Sequence, residues 1–509
     1  MKRLVSICIL LLYAQLAVGQ WFEPKKVTDK FFPDPDIAMD IPVFNKNSGF
    51  TTYEEMNAFL KNLQEKYPSV MQIEYVGKTQ RGKDIPLVIL KNNTDNHKTN
   101  VLYFGRVHGD EPSGTEALLY LVQQLPADAS MLAWLDTINL YIMPMVNIDG
   151  AQSNNRRTAN TIDLNRDQSK LDTPEARSMH QVVARVDPQL IVDFHEYQPD
   201  RSDWLRITPK VVTTPFDVMF LYSGNPNVPD VFRDVITETF IKSAMKVLDQ
   251  NELTHHAYYS SSRSFDNVNV TVGGASPRST ANAMALKNKL SLIIETRGIR
   301  LGRTSMKRRV WGAYLVAKDI LATTVANTGL IESTLEKGLE DSSDIAVRFQ
   351  AERVADNPMP FLDMVQNEMI HINVDTRYST QSVPTLTRAV PMAYYINPSQ
   401  ERAIEILTVM GVEIDTLEAD TEVEAEIFTV RSLADSPNEV GGVYPVAVRT
   451  RKEIVKKKFA KGTYVIRTNQ PLKRAITVLL EPESGNGFAN YKVIPLSLHQ
   501  EFPVYRILK

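Results

Sequence analysis

Helical and strand periods of apolar residues alternate along most of this chain. Thr52-x-x-Glu55 reads as a capping box, and Met56, Phe59, Leu60, Leu63 and Tyr67 keep helical spacing until Pro68 stops the run. Short apolar or alternating runs predict strands at 71–76, 85–91, 101–104, 137–146, 190–194 and 290–295. Amphipathic stretches predict helices at 116–125, near 230–248 and at 307–322, and Thr173-Pro174-Glu175 opens another with a cap, a first-turn proline and a first-turn acid. Strands alternating with helices over 51–328 imply an α/β fold with a mixed central sheet flanked by helices.

Beyond residue 328 the pattern changes. The stretch 329–420 has mixed character and reads as a linker or cap, with a helix at 399–410, and 421–509 reads as a C-terminal β-rich domain. Strands are expected there at 423–430, 464–468, 475–480 and 491–494. The run of Lys and Arg between Arg449 and Lys461 reads as a solvated hairpin, with a docking patch for an anionic partner as the alternative. Residues 20–50, rich in Pro and Asp and without clear periodicity, read as an extended lead-in.

The first nineteen residues change the picture of where the protein works. Met1-Lys2-Arg3, the apolar run Leu4 to Leu12 and the small-x-small site Ala17-Val18-Gly19 have the layout of a secretory signal peptide. The apolar run is far shorter than the roughly 20 residues a spanning helix needs, so no stable membrane anchor is expected. Cleavage near Gly19 would release a secreted or periplasmic product and discard Cys8, the only cysteine. Such a product has no thiol chemistry and no disulfide, and core burial alone must stabilise it.

Composition narrows the partners. Of 509 residues 43% are hydrophobic and 23% charged, with 22 Gly and 28 Pro, which excludes disorder, collagen and a disulfide-stapled miniprotein. Lys plus Arg (57) nearly balances Asp plus Glu (60), so no overall field recruits nucleic acid.

The chemistry-bearing residues sit near the ends of predicted strands. His195-Glu196-Tyr197-Gln198-Pro199 starts like H-E-x-x-H but ends in Pro, and no Gly-x-Ser-x-Gly elbow or phosphate-cradling glycine loop occurs. His108-Gly109-Asp110-Glu111 follows the strand at 101–104 directly, and an imidazole with a carboxylate three residues on can supply two of the three protein ligands of a catalytic zinc. His195 ends a third-ligand strand, and Glu295 ends an apolar strand where an unpaired carboxylate would be costly. Asn147-Ile148-Asp149-Gly150, then Arg156-Arg157, then Asp163-Leu164-Asn165-Arg166 follow another strand, at the sheet end where open α/β sheets place ligands.

This ordered set resembles the zinc metallocarboxypeptidase family of the carboxypeptidase A/B type: H-x-x-E, N-P-D-G with Ile148 for Pro, an Arg, D-x-N-R, a strand-end His and a strand-end Glu. The resemblance covers about residues 50 to 325. It implies one zinc ion held by His108, Glu111 and His195, Glu295 as general base, and Arg156 on the oxyanion, with Arg157 adjacent and not separable by spacing. It further implies that Asn165 and Arg166 clamp the substrate α-carboxylate and that Asp163 accepts the second ring N–H of His108. The implied substrate is a peptide or protein C-terminus. Stretches from Lys461 to Phe488, including Leu480-Glu481-Pro482-Glu483, resemble the C-terminal region of large bacterial secreted members.

Two departures matter. The family's carboxylate-capping Tyr has no counterpart between Tyr259 and Glu295, leaving Tyr258 and Tyr259 as distant candidates, and Asp110 stands where digestive members carry Arg. Arg278, between His195 and Glu295, either lines the side-chain pocket and favours an acidic terminal residue or is a surface loop residue. Other readings are a zinc amidohydrolase acting on cell-wall stem peptides or N-acyl amino acids, and a catalytically silent zinc-binding pseudopeptidase. A binding protein has no need of the base Glu295.

Overall fold

The structure, a computed structural model, describes residues 23–94, 97–264, 267–440 and 442–508. The signal segment with Cys8 and Gly19 lies outside them.

Eight strands form the central sheet: β1 (Met71–Lys78), β2 (Asp84–Leu90), β3 (Thr99–Gly105), β4 (Ile138–Met143), β5 (Leu190–Tyr197), β7 (Val218–Tyr222), β8 (His255–Ala257) and β11 (Leu290–Arg297), in the order β1-β2-β4-β3-β5-β11-β7-β8. The four central strands, β4, β3, β5 and β11, run parallel, whereas β2 on β4 and β7 on β11 pair antiparallel, so the sheet is mixed as expected. Every residue of β5 and β11 is buried, the signature of parallel strands covered on both faces. From β3 the chain passes first to β4 on one side and later to β5 on the other, which leaves a crevice beyond the C-terminal ends of β3 and β5.

The flanking helices follow their sequence signals. Tyr53–Lys66 carries the capping box, with Glu55 N–H on Thr52 Oγ1 (3.2 Å) and Thr52 N–H on the Glu55 carboxylate (2.8 Å). Pro174–Val186 starts at Thr173, whose hydroxyl accepts from Ala176 N–H. Ser113–Gln124 packs against Met306–Ala326, with the rings of Tyr120 and Tyr314 edge to face at 4.7 Å. The helical stretch from Asp230 to Gln250 contains a π-helical segment, Ile236–Ile241.

Two further sheets lean on this core. One joins β6 (Val212–Thr213), β9 (Tyr259–Ser264), β10 (Asn267–Val272) and the long hairpin β12 (Ile345–Asp363) and β13 (Glu368–Arg388), in the order β6-β12-β13-β10-β9. The hairpin follows a helix at Thr328–Glu340, and the lead-in, expected to be extended, instead carries a helix, Lys25–Phe31, whose Val27, with Phe32 just beyond it, is buried against Leu362 and Met364. The other sheet has the order β15-β18-β14-β19-β16-β17, from β14 (Ala393–Ile396), β15 (Asp415–Thr416), β16 (Thr421–Asp435), β17 (Val446–Phe459), β18 (Tyr464–Arg467) and β19 (Val504–Ile507). The basic run lies mostly on β17, an edge strand paired antiparallel to β16, where its lysines meet Glu426, Glu501 and Asp420 and blunt an edge open to further pairing.

Two expected strands are corrected. Residues 475–480 belong to a helix, Lys473–Leu480, in which all residues from Arg474 onward are buried. A run buried all round carries no period that separates strand from helix. Residues 491–494 form turns. The Glu481-Pro482-Glu483 segment has a structural use: Glu481, fully buried, accepts from Arg388 (2.7 Å) and Tyr394 (2.7 Å) and forms an ion pair with Arg506 (3.0 Å), while Glu483 pairs with Arg388 and accepts Thr450 N–H (2.9 Å). These contacts tie the C-terminal sheet to β13.

Candidate active site

The crevice at the end of β3 and β5 receives the expected residues. Arg106 just beyond β3 takes a positive φ of 54°, and its guanidinium donates to Gly109 O (3.0 Å) and Thr51 O (3.3 Å), which fixes the turn carrying His108 and Glu111. Gly109 is required by closeness: a Cβ there would stand 2.1 Å from the Gly150 carbonyl carbon and 2.4 Å from Ala151 N. The Asn147–Gly150 motif shapes the opposing turn, with Gly150 N–H on Asn147 Oδ1 (2.9 Å) and Asp149 accepting from Thr79 Oγ1 (3.0 Å) and Arg81 N–H (2.9 Å).

His108, Glu111 and His195 are buried and converge, with one candidate ligand atom from each lying within 4.8 Å of the others. Glu111 lies between the imidazoles, Oε1 at 2.8 Å from His108 Nδ1 and Oε2 at 2.8 Å from His195 Nδ1, and the two Nδ1 atoms are 3.0 Å apart. Each outer nitrogen has its own carboxylate: Asp163 at 3.0 Å from His108 Nε2 and Asp193 at 2.7 Å from His195 Nε2. Burial alone would lower His195, yet Asp193 and Glu111 raise it well above the ordinary imidazole range. Burial would likewise raise Glu111, but the two imidazoles outweigh it and hold the carboxyl below its usual range. The cluster therefore has a field that favours positive charge and a set of N and O donors aimed at one point. That set fits zinc, whose catalytic sites combine histidine and carboxylate ligands.

Asp193 was not foreseen. It precedes His195 by two residues on a strand, so both side chains lie on one face, and the D-x-H spacing on a predicted strand is the signal that could have found it.

Around the cluster, β11 runs in register with β5 so that Glu295 stands opposite His195. Burial, and among the charged neighbours Glu111, push the Glu295 carboxyl up to about 7 against the opposing pull of His195. Arg156 donates to Glu111 Oε1 (3.2 Å) and Asp163 Oδ2 (3.0 Å), whereas the exposed Arg157 side chain donates to Thr161 O, so packing separates two residues that spacing could not. Asp163 is held well below the carboxylate range although burial opposes this, because His108, Arg156 and Arg166 surround it. Asn165 Oδ1 accepts from Thr280 N–H (2.8 Å) and Oγ1 (3.1 Å), which turns its amide nitrogen into the remaining donor. Arg166 donates to Asn165 O (2.7 Å).

Of the two tyrosine candidates, Tyr259 donates its hydroxyl to Pro360 O (2.8 Å) in a separate core cluster. Tyr258 is the one close to the centre: burial, and then the Glu295 charge, push its phenol up to about 12. Glu196 is structural, bound to Arg309 (2.9 Å to Nε).

A profile of the family described as zinc carboxypeptidase matches residues 56–199, a span that holds the site residues from His108 to His195 and leaves Glu295 outside. Carboxypeptidase 2 of Trichophyton rubrum is 26% identical over 471 residues, covering 90% of this chain and 87% of that protein. Carboxypeptidase M of Mus musculus is 31% identical over 157 residues, 28% of this chain and 34% of that protein. A metallo-carboxypeptidase structure from Burkholderia cenocepacia aligns with 20% identity and a TM-score of 0.42, over 54% of this chain and 69% of that one. A match that runs from the first flanking helix through β5, and a buried donor set built from the same stretch, lead to one conclusion: residues 56–199 are similar to the zinc carboxypeptidase family, and the chain is a metallopeptidase whose His108, Glu111 and His195 form a site that fits zinc.

Proposed function

We propose that the protein is a large, exported carboxypeptidase that removes the last residue of peptides or proteins, with His108, Glu111 and His195 holding the zinc. The observation that carries this reading is the pairing of the buried donor set with Glu295, a carboxyl raised to about 7 directly across the β5–β11 register. Zinc bound at such a site supplies Lewis-acid activation of water and of the scissile carbonyl.

The chain's own residues do the rest. Glu295 takes a proton from the attacking water and passes it to the leaving amine, as a carboxylate set beside the donor cluster can. Arg156, fixed between Glu111 and Asp163, offers a cation where negative charge develops on the carbonyl oxygen. The Asn165 amide and the Arg166 fork grip the free α-carboxylate, which restricts cleavage to the terminal bond. Asp163 and Asp193 hold the two imidazoles by their outer nitrogens. Export rests on the signal-like segment ending at Gly19, and the resemblance of 461–488 supports a place beside large bacterial members.

The test is turnover by the zinc-loaded chain of peptides with free and amidated C-termini, with and without chelator. Free-ended peptides should be cut and amidated ones spared, and Glu295→Gln should keep zinc while losing at least ~10²-fold in kcat. Unchanged hydrolysis in that variant would refute the assignment of the base.

A further inference from the structure

Arg278 is a residue the mechanism above does not use. It sits in the turn before the helix Thr280–Ala285, and this turn packs on the clamp: Gln168 N–H donates to Arg278 O (3.4 Å), and Thr280 holds Asn165 Oδ1 (2.8 Å). Its side chain is half-buried and oriented by neighbours. Nε donates to Ser276 Oγ (3.2 Å), that hydroxyl donates to Asn486 Oδ1 (3.1 Å), and the guanidinium carbon lies 5.2 Å from the ring centre of the buried Tyr491. Asn486 and Tyr491 come from the C-terminal region, more than 200 positions along the chain from Arg278.

Asp163 is near enough to act on this charge but forms no ion pair with it. One terminal nitrogen of Arg278 is buried without a hydrogen-bond partner, and among the described residues neither Arg278 nor Arg166 makes an ion pair. The two cations are nonetheless neighbours. Burial depresses Arg278 first, Tyr491 opposes that, the like charge of Arg166 adds to the depression and Asp163 offsets part of it, while Tyr491 in turn feels both arginines. Two guanidiniums that share one nearby carboxylate, Asp163, itself already bonded to His108 and Arg156, leave an excess of positive charge beside the α-carboxylate clamp, which two carboxylates a few bonds apart would satisfy. A C-terminal Glu or Asp carries such a pair.

We propose that Arg278 is the specificity-determining residue of the site and selects an acidic C-terminal residue, with the α-carboxylate on Asn165 and Arg166 and the side-chain carboxylate on Arg278. Tyr491 is a positioning residue: its ring holds the guanidinium in place, which gives the C-terminal region a part in substrate choice. The proposal rests on the exopeptidase reading and deepens it.

The experiment uses the full chain loaded with zinc and peptides identical except for a last residue of Glu, Gln, Leu or Lys, each with an amidated control. Loss of one charge-assisted hydrogen bond predicts kcat/KM for Glu about 10- to 100-fold above its isostere Gln, and a Glu/Gln ratio near one in Arg278→Gln. Tyr491→Ala should lower that ratio, and Tyr491→Phe should restore it, because the ring and not the hydroxyl supports the guanidinium. Calorimetry with N-acetylglutamate and N-acetylglutamine gives a readout free of turnover, and the first should bind about 10-fold tighter or better, in wild type only. Leu or Lys peptides cut in preference to Glu, with amidated controls spared, would overturn the acidic pocket and leave the exopeptidase reading standing. Equal binding of the two acetylated amino acids would overturn it whatever the turnover. Amidated peptides cut as fast as free ones would overturn the exopeptidase reading, and this inference with it.

Discussion

Asp193→Asn isolates the contribution of one carboxylate that touches no substrate. Asp193 is fully buried, and its Oδ2 lies 2.7 Å from His195 Nε2, while its other oxygen has no hydrogen-bond partner among the described residues. Asn keeps the shape and can still accept the ring N–H through its amide oxygen, so the tautomer that offers Nδ1 to the metal is retained. What is lost is the charge. Among the charged neighbours that raise His195 against its burial, Asp193 is the strongest, ahead of Glu111. An imidazole without it is a weaker donor, and removing a carboxylate partner of a ligating histidine typically costs 10- to 100-fold in metal affinity, about 1.4 to 2.7 kcal/mol. The assay is competition for zinc against a chromogenic chelator at fixed pH, with the thermal midpoint of both proteins recorded to show that the variant is folded. Zinc affinity within about twofold of wild type in a folded variant would refute the view that this carboxylate tunes the site.

Two further predictions concern the scaffold. Gly109→Ala places a methyl 2.1 to 2.5 Å from backbone atoms of Gly150, Ala151 and Asn155, none of which can rotate away, so stability should fall by about 1–3 kcal/mol together with zinc affinity; an unchanged thermal midpoint would contradict this. Lys287 is buried with Nζ 2.8 Å from His180 Nδ1 and 3.1 Å from Met410 O, and burial, then the Lys289 charge, pull it down to about 7 from an ordinary 10.5. Between those values the unfolded chain holds a proton that the folded chain has released. Stability should therefore rise with pH from about 7 toward 10, by up to about 1.4 kcal/mol per pH unit, and denaturant unfolding of Lys287→Met should lack this component. Equal pH slopes for the two proteins would count against it.

The legible part of the fold was what local physics enforces. Thr52-x-x-Glu55 and Thr173-Pro174-Glu175 satisfy orphan helix donors within a few residues, so their helices start where the sequence says. β3, β5 and β11 were readable because strands buried on both faces are short continuous apolar runs between breaks. The same rule failed at 475–480, where burial on all sides erases the helical period. The hairpin β12–β13 was not legible either. Its 19- and 21-residue strands carry several register shifts, which break the two-residue alternation, and much of it is exposed.

Residue identity and order along the chain set which chemical groups are available: two histidines, a carboxylate three residues from one of them, an arginine pair, an Asp-x-Asn-Arg turn and a strand-end glutamate. These follow from residue identity and from spacing along one strand or turn, which covalent geometry alone constrains. Which neighbours those groups acquire depends on how the chain packs in three dimensions. That packing turned Arg156 toward Glu111 and Arg157 toward Thr161, set Asp193 behind His195, drove Glu481 between Arg388 and Arg506, and brought Tyr491 over Arg278. The reason is that charge and hydrogen bonding act over a few ångströms of space. Chain segments hundreds of residues apart come that close only when a common core packs them together.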